Sequence, residues 1–108
     1  MKTLKFRKVL SELILSGEKT NTWRLFDDKD LSEGDVVSFL VWETGEEFAK
    51  ARLIEVIEKK FGELIEEDFE GHEKFNSEKE KYETYSLYYE QKVDENTSVK
   101  IIRFELIE

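Results

Sequence analysis

The stretch Gly17-Glu18-Lys19-Thr20-Asn21-Thr22-Trp23-Arg24 marks the point where an amphipathic helix stops and a polar strand begins. A glycine just past the last periodic apolar residue is a common helix end, and the Thr-Asn-Thr-Trp run favours an extended chain. The stretch therefore predicts a helix-to-strand turn, and we expect the chemistry of the protein to lie beside it.

Side chains alternate across a strand, so the strand after the turn has two distinct faces. Thr20, Thr22 and Arg24 share one face, and Trp23 points the opposite way. Lys19 lies in the turn itself, where its direction is freer. The pattern places a hydroxyl, a guanidinium and an amine within one short segment.

Outward from this turn, apolar periodicity predicts seven elements. They are a helix over 6–16, strands over 20–25, 35–42 and 48–58, a short helix over 64–70, a helix after Ser77, and a strand over 99–107. Helix is the alternative for 50–60. Because strands and helices do not alternate regularly, the order favours an α+β fold, and a length of 108 residues predicts a single domain over 1–108.

The run from Ile14 to Arg24 resembles the glycine-x-lysine-threonine-x-threonine-x-arginine signature of the ASCH domain family, whose fold is related to the PUA domain. Two further points support the resemblance: Gly34-Asp35 opens a strand, and Glu70-Gly71 precedes an aromatic helix and a closing strand. The resemblance covers nearly the whole chain. It implies a small PUA-like β-barrel with helices packed around it.

One branch of that family resembles amidohydrolases of acylated cytidine nucleosides. Carried over to this sequence, the resemblance implies Lys19 as general base, Thr22 as nucleophile and Glu70 as proton donor. Glu67 and Glu73 are alternatives for the acid, because its place rests only on a Glu-Gly dipeptide. We expect the neighbouring Arg24, Thr20 and Trp23 to contact the ligand.

To act as a base, Lys19 needs a pKa far below its ordinary value. The pKa of a lysine amine must fall from about 10.4 to about 7–8, through burial or a nearby like charge. Arg24 is positioned to supply that charge, whereas Glu70 would oppose the shift unless it pairs with Arg24 or is itself protonated. The predicted triad therefore requires a partly dry pocket.

The net charge of −9 argues against a general nucleic-acid binder, which normally carries a basic surface. The charge is uneven, because residues 1–60 carry 11 basic and 12 acidic side chains whereas residues 61–108 carry 6 and 14. The nearly neutral first half offers at most a small basic rim. We therefore expect recognition of one nucleoside or RNA base, and weak, salt-sensitive binding to RNA.

The sequence has no cysteine and one histidine, so we expect no metal site and no cofactor. His72 is interpreted as a loop histidine, and the tyrosines of the last helix as packing residues, of which at most one ring reaches the pocket. No apolar run is long enough for a membrane span, and the start lacks the apolar stretch of a signal peptide. We expect a cytoplasmic protein with no membrane contact, as a monomer or weak homodimer.

Three functions follow from these observations. The first is an amide hydrolase that removes an acyl group from the exocyclic amine of cytidine. The second is a non-catalytic RNA-binding module, the role usually proposed for the superfamily that the sequence resembles. The third, a protein-interaction module that uses the acidic C-terminal half, explains the charge but not the motif.

Overall fold

A curled five-stranded sheet with two helices forms the frame of the protein, and the computed structural model describes residues 1–27 and 29–107. The elements are β1 (Thr3–Phe6), α1 (Lys8–Ser16), β2 (Asn21–Leu25), β3 (Val36–Val41), β4 (Glu47–Lys60), α2 (Glu78–Tyr89) and β5 (Ser98–Ile107). Two short 3-10 turns follow β4, at Phe61–Glu63 and Glu66–Phe69. The α+β class and the barrel-like architecture predicted from the sequence are confirmed.

The strand order is β1-β3-β4-β5-β2, with β1 parallel to β3 and all other pairs antiparallel. The long strand β4 links the two halves of the sheet, since its start pairs with β3 and most of its length pairs with β5. The register shifts between Leu53 and Glu55. Such an irregularity bends a strand and increases its twist, which helps the sheet curl.

Two apolar clusters pack against the sheet, and β5 contributes to both. Ile102 and Phe104 belong to the cluster beneath α1, whereas Val99 and Ile101 belong to the cluster beneath α2. All four side chains are buried. Within the described residues, both helices are too short to cross a membrane.

The prediction of a helix over 6–16 was wrong at its start. Residues 3–6 form β1, and α1 begins only at Lys8, after Arg7 in an extended conformation. Leu4 and Phe6 alternate into the core at 2% and 3% exposure, whereas Lys5 between them is exposed. The apolar periodicity that Phe6 shares with the residues after it favours a helix. The burial of Leu4 and Phe6 in a strand paired with β3 stabilises the extended conformation more.

The prediction of a short helix over 64–70 was right only in part, because the helix is a 3-10 turn confined to Glu66–Phe69. This segment contains one of the two 3-10 turns, preceded by Leu64 and Ile65 in extended conformations. The Asp68 carboxylate accepts a hydrogen bond from the Ile65 N–H and closes the second turn. The alternative of a helix over 50–60 is excluded, because β4 runs through these residues.

Candidate active site

The turn after α1 fixes the backbone of Lys19. Gly17 ends the helix in the left-handed conformation, with φ of 87°. The N–H groups of Glu18 and Lys19 both donate to the carbonyl of Leu13, at 3.0 and 3.1 Å. These bonds satisfy a carbonyl at the helix end and set the direction in which Lys19 leaves it.

The Lys19 side chain is buried, with 3% of its surface exposed. Its ammonium donates to the Asn21 carbonyl at 2.9 Å and to the Glu73 carboxylate at 2.6 Å. Burial lowers the pKa of Lys19, the Glu73 carboxylate opposes that shift, and the nearby Arg24 adds to it. The net pKa is lowered, which is the direction that a general base requires.

The loop that carries Glu73 is held against the start of β2. The Gly71 carbonyl accepts from the N–H groups of Thr20 and Asn21, at 2.9 and 3.1 Å. Gly71 has a φ of 73°, and a Cβ added there would lie 2.0 Å from the Thr20 hydroxyl oxygen. Only glycine allows this close approach, which brings His72 and Glu73 to Lys19.

Buried polar side chains of β2 hold the same loop further upstream. The amide of Asn21, which is fully buried, donates to the carbonyls of Asp68 and Glu70 at 2.7 and 3.2 Å. The Trp23 indole donates to the Asp68 carbonyl at 3.3 Å. Arg103 of β5 donates to the Glu70 carbonyl at 3.2 Å. The backbone around Glu70 is therefore held in place by side chains of β2 and β5.

His72 is a buried member of the site rather than a simple loop residue. Its ring stacks on Trp23 at 3.7 Å and 12°, and its Nε2 lies 3.2 Å from the Tyr85 hydroxyl. Its Nδ1 lies 2.8 Å from the Glu73 carbonyl. Burial, with the charge of Lys19, lowers the pKa of His72 to about 4. A neutral ring fits these contacts, with Nδ1–H donating to Glu73 and Tyr85 donating to Nε2.

These groups border a cavity of about 260 Å³ beside the turn. Its aromatic walls comprise Phe6, Trp23, Trp42, His72, Tyr85, Tyr88 and Tyr89. Its charged groups are Lys5, Arg7, Lys19, Arg24 and Glu73. Thr22, buried at 4% exposure, also lines the cavity, and its hydroxyl forms no hydrogen bond with the residues that the structure describes. The cavity thus combines aromatic surface with a hydroxyl, an amine and a carboxylate.

The structure brings together four of the six predicted site residues, because Lys19, Thr22, Trp23 and Arg24 all line this cavity. Glu70 does not line it, since the backbone of Glu70 is clamped and its side chain is exposed in a separate surface depression. Thr20 lies beside Gly71, but the residue is exposed and does not line the cavity either.

Glu73, the alternative acid, is the carboxylate beside Lys19. Burial raises its pKa, but the neighbouring imidazole and ammonium outweigh burial and the net pKa is lowered. Sequence reasoning missed His72, and it expected at most one tyrosine ring at the pocket, whereas Tyr85, Tyr88 and Tyr89 all line it. The signal was present in the Gly71-His72-Glu73 order, because a glycine that docks on the turn brings the next two side chains into the site with it.

No protein-family model matches the sequence, and no curated protein resembles it significantly. Several solved structures, in contrast, superpose on this chain. An ASCH domain from Lactobacillus crispatus superposes with a TM-score of 0.73 at 13% identity, over 97% of this chain and 79% of that one. The chain has the fold of ASCH domains. The predicted likeness to this family is confirmed at the level of the fold.

Two more structures share the ASCH-type fold. A mutant ASCH protein from Zymomonas mobilis superposes with a TM-score of 0.66 at 15% identity, over 95% of this chain and 66% of that one. A hypothetical protein, PH0355, superposes with a TM-score of 0.72 at 26% identity, over 99% of this chain and 100% of that one. The PH0355 chain is thus similar in length as well as in fold.

Proposed function

We propose that this ASCH-type domain binds a cytidine-type nucleoside in the cavity and hydrolyses the amide on its exocyclic amine. The observation that carries the proposal is the buried Lys19, whose lowered pKa, ion pair with Glu73 and position in the same cavity as the Thr22 hydroxyl suit amide hydrolysis. A nucleophilic hydroxyl needs an adjacent base, and the leaving amine needs a proton.

The Lys19–Glu73 pair can meet both needs with the proton it already holds. An ammonium beside a carboxylate becomes an amine beside a carboxylic acid when one proton moves along their 2.6 Å hydrogen bond. In the second form, Lys19 takes the proton of Thr22 while the hydroxyl oxygen bonds to the acyl carbon. Glu73 then protonates the cytidine amine as the carbon–nitrogen bond breaks. The pair is then again an ammonium beside a carboxylate, and water hydrolyses the threonine ester, which releases the acyl group as a carboxylic acid and restores the Thr22 hydroxyl.

The aromatic walls suit a planar base. Stacking on aromatic side chains contributes about 1–3 kcal/mol for each base and does not depend strongly on its identity. The Tyr85 ring belongs to the wall and is fixed by its hydroxyl bond to His72. Glu73 keeps a third of its side-chain surface exposed, which leaves its carboxylate accessible from the cavity.

The test is a screen of purified protein against N4-acylated cytidines, with free cytidine measured by chromatography. We expect turnover of at least one acyl derivative, and its loss in Lys19→Met. Lys79→Met serves as the control, because Lys79 is 85% exposed and lies outside the cavity. Absence of turnover with every acyl group would overturn the catalytic proposal.

A non-catalytic RNA-binding module is the second candidate, and two exposed aromatic rings favour it. Trp42 and Tyr88 border the cavity and are 53% and 58% exposed, so both can stack on unpaired bases. Titration of labelled single-stranded RNA at low and at physiological salt separates the candidates. The nucleoside proposal predicts weak binding that fades with salt, whereas tight binding at physiological salt would favour the RNA module.

A further inference from the structure

Two exposed cations, Lys5 and Arg7, stand over Trp42 at the cavity border. The Lys5 ammonium lies 5.4 Å from the centre of the Trp42 ring, and the Arg7 guanidinium lies 4.9 Å from it. The parallel pairing of β1 with β3 produces this arrangement, because the backbone N–H of Trp42 donates to the backbone carbonyl of Phe6 at 2.7 Å. We call Lys5, Arg7 and Trp42 the rim.

The cavity is locally cationic in a chain whose net charge is −9. Of the residues that the structure describes, four cations and one carboxylate line it, and that carboxylate, of Glu73, is paired with Lys19. Among the described residues, Lys5, Arg7 and Arg24 form no ion pair. Their charges are therefore available to an anion.

Arg24 joins the rim to the cavity interior. One of its terminal nitrogens donates to the Lys5 carbonyl at 2.7 Å, and its guanidinium lies 4.6 Å from the centre of the Phe6 ring. Its Nε is buried and has no hydrogen-bond partner among the described residues. Burial lowers the pKa of Arg24. An anion that entered beside it would gain a partner that is already desolvated.

Two acidic residues next in sequence to Trp42 or close to Arg24 already have partners. The Glu43 carboxylate accepts a hydrogen bond from the backbone N–H of Lys8 at 3.0 Å, at the start of α1. Asp27 forms an ion pair with Lys100 at 3.5 Å. Their fields reduce the positive potential around the rim and Arg24, where three cations form no ion pair with the described residues.

We propose that the rim and Arg24 bind the phosphate of a nucleoside monophosphate whose base occupies the cavity. This rests on the proposed function, because the base must sit in the cavity for its phosphate to reach the rim. A phosphate carries a charge between −1.5 and −2 at neutral pH and offers three strong acceptor oxygens. Two exposed cations suit one phosphate, and a chain at −9 opposes a longer polyanion.

The experiment compares the affinities of cytidine and cytidine 5′-monophosphate by calorimetry at low salt. We expect the monophosphate to bind about tenfold more tightly, a difference of about 1.4 kcal/mol. In Lys5→Gln/Arg7→Gln that ratio should fall to about threefold or less, because only Arg24 then remains to meet the phosphate. Lys79→Gln/Lys92→Gln is the matched control: it removes the same charge from exposed positions outside the cavity and should keep the ratio.

The outcomes separate this inference from the function beneath it. Equal binding of both ligands, or a preference that stays undiminished in the rim variant, overturns the phosphate site and leaves the nucleoside proposal standing. Binding of neither ligand overturns both. A preference for the monophosphate without turnover of acylated cytidines supports the phosphate site and rejects only the catalytic role. A 5′-phosphorylated oligonucleotide that binds more tightly than the monophosphate at physiological salt would overturn the assignment to a single nucleotide.

Discussion

The ammonium of Lys19 donates a 2.6 Å hydrogen bond to the carboxylate of Glu73, across 54 positions of sequence. Lys19 is almost fully buried, whereas the Glu73 side chain retains 33% exposure. Removing the Glu73 carboxylate would leave the Lys19 ammonium buried without its charged partner, which is more costly than losing a surface ion pair. The pair therefore links the turn after α1 to the loop after Gly71.

Glu73→Gln should lower the rate of N4-acetylcytidine hydrolysis by about 10²–10⁴-fold, because it removes the proposed proton donor. Glu70→Gln is the control, since the Glu70 side chain is exposed outside the cavity. The measurement is kcat for both variants. A loss in Glu70→Gln with full activity in Glu73→Gln would reverse the assignment of the acid.

The only histidine in the sequence should remain neutral well below the ordinary histidine pKa. Burial lowers the pKa of His72 from 6.5 to about 4. An NMR titration of its ring protons tests this directly, because no other imidazole contributes to the spectrum. A midpoint near 6.5 would contradict the buried, stacked position of the ring.

The same pKa shift predicts a loss of stability in mild acid. The unfolded chain binds a proton at His72 below pH 6.5, whereas the folded chain does not until about pH 4. The free energy of unfolding should therefore fall by about 2 kcal/mol between pH 7 and pH 5. Urea denaturation at the two pH values measures this change, and His72→Gln should remove most of it.

Gly71→Ala should destabilise the protein more than Gly45→Ala. Both glycines have positive φ, of 73° and 76°, so both substitutions impose the cost of the left-handed conformation, about 1–2 kcal/mol. At Gly45 a Cβ meets nothing within 4 Å, whereas at Gly71 it meets Thr20. We expect Gly71→Ala to cost about 3 kcal/mol by urea denaturation. Equal effects would show that Thr20 moves aside freely, and Thr20→Ala should recover part of the loss.

The part of the site that lies within one turn was predictable from the sequence. Gly17 ends α1, and the polar strand that follows carries Thr22 and Arg24 to the cavity with Lys19 from the turn. These placements depend on local geometry, namely a helix stop and the alternation of a strand. The helix stop and the strand alternation can both be recognised from the local sequence pattern.

The rest of the site depends on contacts between distant segments. β1 is only four residues long, and its pairing with β3 brings Lys5 and Arg7 to Trp42. The acid was ambiguous for the same reason, because only the docking of Gly71 on β2 decides which glutamate reaches Lys19. The spacing of residues along the sequence does not predict such long-range pairing.

The central claim is that Thr22 attacks the acyl carbon inside this cavity. The most direct measurement is the rate of cytidine release from N4-acetylcytidine by the unmodified protein, Thr22→Ser and Thr22→Val, with melting temperatures measured alongside. Valine keeps the shape and strand preference of threonine, so the melting temperature should stay nearly unchanged. We expect release by the unmodified protein, partial activity with serine and none with valine. Release that continues at the full rate in Thr22→Val would contradict the account.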